Sequence, residues 1–205
     1  MQISLTNTGK RYNRDWIFRH LDFTFEPAAK YAITGSNGSG KSTLLQVIAG
    51  ALLHTEGKVE FSETINGTSK SIEQPYSRLS FAGPYLDLIE EMTATEFLNF
   101  HSSFKPFTTT VPAMLEEVAL GNAAQKQIRY FSSGMKQRLK LAQGFFCQSP
   151  VLLLDEPTTN LDADGVALYQ QLIKKYTENK LVIVSSNDPE EYRFCQKLIS
   201  IADYK

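Results

Sequence analysis

The chain has 205 residues, 42% of them hydrophobic and 21% charged, with a net charge of −1 at pH 7. That length and balance suit one domain, or one domain with an inserted lobe, and supply ample material for a buried core. Acidic and basic residues are well mixed, so nothing electrostatic argues for nucleic acid as a partner. The two cysteines, Cys147 and Cys195, show no metal-ligand spacing and read as reduced structural thiols.

The N-terminal segment MQISLTNTGKRYNRDW is polar from the start and does not read as a signal peptide. Residues 17–26 end in alternating apolar positions Leu21, Phe23 and Phe25, the pattern of a half-buried strand. Residues 31–34 form a short apolar strand that runs straight into a glycine-rich loop, and 42–51 then have helical spacing with Gly50 near the end. Residues 58–61 and 78–81 read as further strands. Between about 86 and 141 helix signals dominate. Thr93 precedes a helix predicted over 94–104; Pro112 is placed to start a second one, and Gly121 to stop it. After that come a strand (VLLL, 151–154), a helix (162–176), a strand (LVIV, 181–184), a helix and a strand. The apolar runs are strand-sized, far below the roughly 20 residues of a membrane helix. The order predicts an α/β body with a largely parallel sheet, interrupted by a small helical lobe, and sites at the C-terminal ends of the strands.

The glycine-rich loop is Gly35-Ser36-Asn37-Gly38-Ser39-Gly40-Lys41-Ser42, a full match to the P-loop pattern between a strand and a helix. Its glycines let successive N–H groups turn toward phosphate oxygens, and the following helix adds the positive end of its dipole. In that arrangement Lys41 bridges the terminal phosphates, the Ser42 hydroxyl ligates Mg²⁺, and Thr43 contacts the inner phosphate. The second half of such a site is VLLLDEP, an apolar strand that ends in two acids. Buried acids are costly unless a cation or polar ligand meets them. Asp155 is placed to hold Mg²⁺ through water, and Glu156 to polarise the attacking water.

The segment FSSGMKQRLKLAQGFFCQSPVLLLDEPTTNLDADG then resembles the signature-to-Walker-B region of the ATP-binding cassette (ABC) family. Ser132, Ser133 and Gly134 stand at the signature core, and Thr159-Asn160-Leu161-Asp162 resembles the D-loop. TEGKVEF at 55–61 is similar to the Gly-x-Val strand after the first helix. Tyr12 sits where the family stacks an aromatic on adenine, with Trp16 as a rival. The resemblance covers essentially the whole chain. It implies a P-loop NTPase fold, RecA-like and mostly parallel, with antiparallel β elements and an inserted helical lobe. As one domain over 1–205, the body would span 1–85 and 142–205 and the lobe 86–141. It also implies ATP and Mg²⁺ as cofactors, with Asp162 and the signature residues closing over the ATP of an opposite subunit in a head-to-tail homodimer, or beside a paralogous ATPase. The further partner is an integral membrane permease, which would hold the protein peripherally on the inner, cytoplasmic face of the cell membrane.

Two family positions depart from the pattern. Pro84 stands where a glutamine is usual, and proline has no polar side-chain atom for that role; Gln74 is the substitute to consider. Asn187 stands where the family has a histidine on the γ-phosphate, and an amide carries neither proton nor charge. Turnover is therefore expected to be slow, limited at Asn187. The histidines present, His20, His54 and His101, fall elsewhere. Within the resemblance, the leading expectation is an ATPase driving a permease through the lobe, where Phe97, Leu98, Phe100, Phe104 and Phe107 form either the docking surface or ordinary lobe core. The alternative is a nucleotide-dependent regulatory subunit with little hydrolysis. FSSGMKQRL is similar to ABC-2 type exporters, while TATEFLNF and LDADGVALYQQLI are similar to the haem-export ATPase of cytochrome c maturation. The translation-factor branch usually carries two cassettes, whereas one set of motifs is present here.

Overall fold

The computed structural model describes residues 1–65, 67–84 and 86–205. Among these, the strands make two sheets. The antiparallel one contains β1 (Gln2–Tyr12), β2 (Asp15–Phe25), β4 (Glu56–Ile65) and β5 (Thr68–Ser71), in the order β2-β1-β4-β5. The other contains β3 (Lys30–Thr34), β6 (Leu79–Ala82), β7 (Val151–Asp155), β8 (Leu181–Ser185) and β9 (Lys197–Ser200), in the order β6-β7-β8-β3-β9, with every pair parallel. The expected α/β architecture is thus present, and the antiparallel elements gather in one sheet of their own.

The parallel sheet is buried on both faces, which is why β7 and β8 read as unbroken apolar runs. Period-2 alternation splits their side chains between two cores. Val151, Leu153, Leu181 and Ile183 join α1 (Lys41–Ile48) and the antiparallel sheet. Leu152, Leu154, Val182 and Val184 join α4 (Ser133–Phe145) and α5 (Ala163–Tyr176). That second core runs without a break into α2 (Ala94–Ser102) and α3 (Val111–Glu117). The helix α4 continues past residue 141 to Phe145, because Leu141, Ala142 and Phe145 are needed to cover the sheet. Lobe and body share one packed interior.

Several helix ends differ from the sequence reading. The helix expected over 42–51 ends at Ile48; Gly50, at φ 70°, turns left-handed so that Gly50 N–H bonds Val47 O and Ala51 N–H bonds Gln46 O. Gly121 does not stop α3. Ala119 does, at φ 55°, with Leu120 N–H on Leu115 O and Ala119 N–H on Glu116 O. A Cβ on Gly121 would instead meet the Glu116 carboxylate at 2.0 Å. The start of α2 is a capping box between Thr93 and Glu96, as Thr93 suggested.

The lobe aromatics separate by helical phase. Phe97 and Leu98 are buried with Ala94, so they are core and not docking surface. Phe100 and Phe104 lie on the other side, 46% and 71% exposed, packed edge to face at 5.2 Å. No helix among the described residues is long and apolar enough to cross a membrane.

The strand expected over 58–61 is longer, and Gly57 explains its register. It sits at φ 81° opposite an irregularity in β1, where an added Cβ would fall 2.1 Å from the Asn7 carbonyl oxygen. Gly57→Ala is expected to lower unfolding free energy by more than about 2 kcal/mol, combining left-handed strain with a backbone clash. Urea titration checks it.

Candidate functional site

The turn after β3 and the first turn of α1 form the phosphate loop. Gly38 and Gly40 are left-handed, at φ 72° and 104°, and a Cβ on Gly40 would lie 2.2 Å from Ile17 Cγ2. The first N–H groups of α1 have no carbonyl of their own helix to bond. Lys41, 4% exposed, donates to Gly35 O at 3.0 Å and to Ser36 O at 3.1 Å, so its ammonium arches over the loop. A pocket of about 350 Å³ opens here, lined by Ile17, Asn37, Gly38, Lys41, Ser42 and Glu156 among others. Inside the loop the Ser39 hydroxyl is buried without a partner among the described residues. A cradle of donors with one cation and an orphaned hydroxyl fits a polyphosphate.

The strand β7 delivers Asp155 to the same place. Its Oδ1 accepts from the Ser42 hydroxyl at 3.0 Å, and it is 2% exposed with no cation within ion-pair distance among the described residues. Burial pushes the Asp155 carboxyl up, against the hydrogen bond from Ser42. A buried carboxylate beside a hydroxyl, short of positive charge, fits a hard divalent cation such as Mg²⁺. Glu156 follows at φ 41°, left-handed for a non-glycine residue. Its N–H donates to Ser185 O at 2.9 Å and its carbonyl accepts from Thr159 N–H at 3.1 Å. These two bonds hold the turn, and Glu156 lines the phosphate-loop pocket.

From the turn after β8, Asn187 Nδ2 donates to Asn37 Oδ1 at 3.0 Å, so Asn187 faces the phosphate loop. Pro84 and Gln74 do not supply a substitute of the expected kind. The Pro84 carbonyl accepts from Lys140, and Gln74, exposed, accepts from the Tyr76 hydroxyl at 3.2 Å. Gln46 went unnoticed in the sequence. It lies one helical turn beyond Ser42, its carboxamide has no partner among the described residues, and it shares a cavity of about 350 Å³ with Asp155.

The signature residues lie elsewhere. Ser132 caps α4 by accepting from Met135 N–H at 3.2 Å; a Cβ on Gly134 would approach Asn160 O at 3.1 Å. Asp162 caps α5 through Gly165 N–H at 2.9 Å and pairs with Arg138 at 3.0 Å. Ser132, Ser133, Gly134, Arg138, Asn160 and Asp162 line a second pocket, which shares no lining residue with the phosphate-loop pocket. Tyr12, 46% exposed, ends β1 with Lys10 over its ring at 4.9 Å, and the Trp16 ring is covered by Arg19 at 4.4 Å and Arg11 at 5.2 Å. Neither lines the phosphate-loop pocket; Ile17 does. No sequence signal marks an apolar strand residue for that place. Cys147 and Cys195 are free thiols pushed up by burial to about 11 and about 12, so they stay protonated.

Residues 18–159 match the family model described as ABC transporter. An uncharacterized ABC transporter ATP-binding protein, YybJ, of Bacillus subtilis is 31% identical over 98% of this chain and 89% of its own length. The cytochrome c biogenesis ATP-binding export protein CcmA of Agrobacterium fabrum is 29% identical over 97% of this chain and 94% of its own. A dimeric post-hydrolysis structure of the ATP-binding cassette MJ0796, bound to ADP and Pi, superimposes with a TM-score of 0.79 at 24% identity, covering 97% of this chain and 93% of that one.

Proposed function

The chain belongs to the ABC transporter family as an ATP-binding ATPase subunit, and on that premise we propose that two copies close head to tail around two ATP molecules to drive a membrane permease. The observation that carries the reading is the separation of the two pockets. The phosphate loop and Glu156 line one; Ser132–Gly134 and Asp162 line the other, and no residue lines both. A second copy turned end to end lays the start of α4 across the first copy's triphosphate, where its free N–H groups meet the γ-phosphate.

In this reading the loop from Gly35 to Thr43 holds the phosphates, and Ser42 and Asp155 hold Mg²⁺, which would neutralise charge on the phosphate oxygens. Glu156 orients the attacking water and accepts its proton, and Asn187 donates to the γ-phosphate. Tyr12 stands where the family stacks an aromatic on adenine. All of residues 1–205 act as one nucleotide-binding domain, whose lobe passes closure to the permease at the inner face of the membrane. Of Phe97, Leu98, Phe100, Phe104 and Phe107, the exposed pair Phe100 and Phe104 is left to meet that partner. The retained Glu156 supports hydrolysis over a regulatory role.

Asn187 makes hydrolysis slow in this reading. A histidine there donates a charge-assisted hydrogen bond, so Asn187→His is expected to raise the steady-state ATPase rate about fivefold, equivalent to ~1 kcal/mol at the barrier. Phosphate release by wild type and variant measures it; a histidine variant no faster than wild type overturns this account of the substitution.

A further inference from the structure

Glu191 is the buried acid that the site described so far does not use. It lies on α6 (Pro189–Tyr192), is 3% exposed, and has no cation partner among the described residues. Burial pushes its carboxyl up, against the hydrogen bonds from Thr158. A buried carboxylate without a cation costs more than an apolar side chain of similar volume, so packing alone does not account for it.

Its bonds run to three segments. Glu191 Oε1 accepts from Thr158 N–H at 2.7 Å and from the Thr158 hydroxyl at 2.5 Å. The Glu191 N–H donates to the carbonyl of Asp188, the residue after Asn187, at 3.1 Å. The Glu191 carbonyl accepts from the hydroxyl of Tyr169, 1% exposed, in the middle of α5. Thr158 belongs to the turn that begins with Glu156 and continues to Asn160 and Asp162, at the signature pocket. Asn187 touches Asn37 of the phosphate loop at the other end. One residue therefore ties the loop that faces this copy's phosphates, through its N–H, to the turn that faces the other copy, through its carboxylate.

We propose that Glu191 is a positioning residue that transmits γ-phosphate contact at Asn187, through Thr158, to the Asn160–Asp162 edge of the subunit interface. This rests on the head-to-tail reading above. When a γ-phosphate draws Asn187 from Asn37, the four-residue helix α6 is too short to absorb the shift, and Glu191 carries it to Thr158. The turn and the start of α5 then move together, because Tyr169 anchors the same residue to α5.

The test compares monomer ATP affinity, read with a fluorescent ATP analogue, against ATP-driven dimerisation, read by analytical ultracentrifugation in a Glu156→Gln background. Glu191→Ala is expected to leave ATP affinity within about threefold while weakening dimerisation about tenfold or more. Glu191→Gln keeps an acceptor for Thr158 and is expected to restore dimerisation to within about threefold of the parent. Thr158→Val, which removes the hydroxyl donor at nearly constant volume, carries the test if Glu191→Ala does not fold; its dimerisation is expected to weaken about threefold. Dimerisation at the parental level in the folded variants, or an equal loss of ATP affinity and dimerisation, overturns the proposal. If the Glu156→Gln parent itself stays monomeric with ATP, the head-to-tail reading falls first and takes this one with it.

Discussion

Replacing Glu156 by glutamine is expected to lower the steady-state ATPase rate by at least about a hundredfold and to leave an ATP-bound dimer that persists in solution. The carboxamide has nearly the shape of the carboxylate but cannot accept the proton of the attacking water. The backbone that aims it is held independently of the side chain, by the Glu156 N–H bond to Ser185 O and the Thr159 N–H bond to Glu156 O. The phosphate cradle is untouched, because Lys41 and Ser42 make their bonds to Gly35, Ser36 and Asp155. Binding and closure survive while the chemical step stops. Phosphate release and light scattering on the same sample, with and without ATP·Mg²⁺, check both halves. A variant that still hydrolyses within a few-fold of wild type removes Glu156 from the proton-accepting role. One that is inactive yet remains monomeric with ATP leaves the rate argument standing and removes the dimer.

What the sequence made legible was local and spaced. The phosphate loop and VLLLDEP could be read because glycine, lysine and paired acids follow a strand at fixed intervals, and the structure brings Ser42 to Asp155 across 113 residues of chain. The two-faced burial of β7 and β8 was equally visible as unbroken apolar runs. Long-range placement was not. Nothing in residues 79–82 says that they flank β7 at the sheet edge, because parallel pairing is decided by what covers each face. Gly121 looked like a helix stop by residue type, yet Ala119 takes the left-handed position and Gly121 makes room for Glu116. Phe97 and Phe100 look alike in composition; only their phase against Ala94 and Leu98 separates core from surface, and that signal was present in the spacing. Glu191 was invisible for a simpler reason. Its burial follows from a tertiary bond to Thr158, 33 residues away, and an acid after Asp-Pro-Glu reads as a solvated helix start.

Lys41→Met is expected to weaken ATP binding about a hundredfold, since hydrogen bonds to a charged group are worth about 1.5–3 kcal/mol each and the ammonium has more than one phosphate oxygen to meet. Methionine keeps most of the stem's volume in a position only 4% exposed, so the cavity term is small. The variant also loses the donors now on Gly35 O and Ser36 O, which costs the nucleotide-free protein about 1–2 kcal/mol. The two effects separate in one experiment. Thermal melting without nucleotide reads the loop bonds, and the further rise in Tm on adding ATP reads the phosphate contact, because a ligand that binds only the folded state raises stability in proportion to the logarithm of its concentration over Kd. Wild type should gain Tm with ATP while Lys41→Met gains little at the same concentration. Arginine is not a rescue, since its planar fork needs more room than a point charge arched over the loop. A full ATP-dependent rise in Lys41→Met would mean that the backbone N–H groups alone hold the triphosphate and that the ammonium serves the loop rather than the ligand.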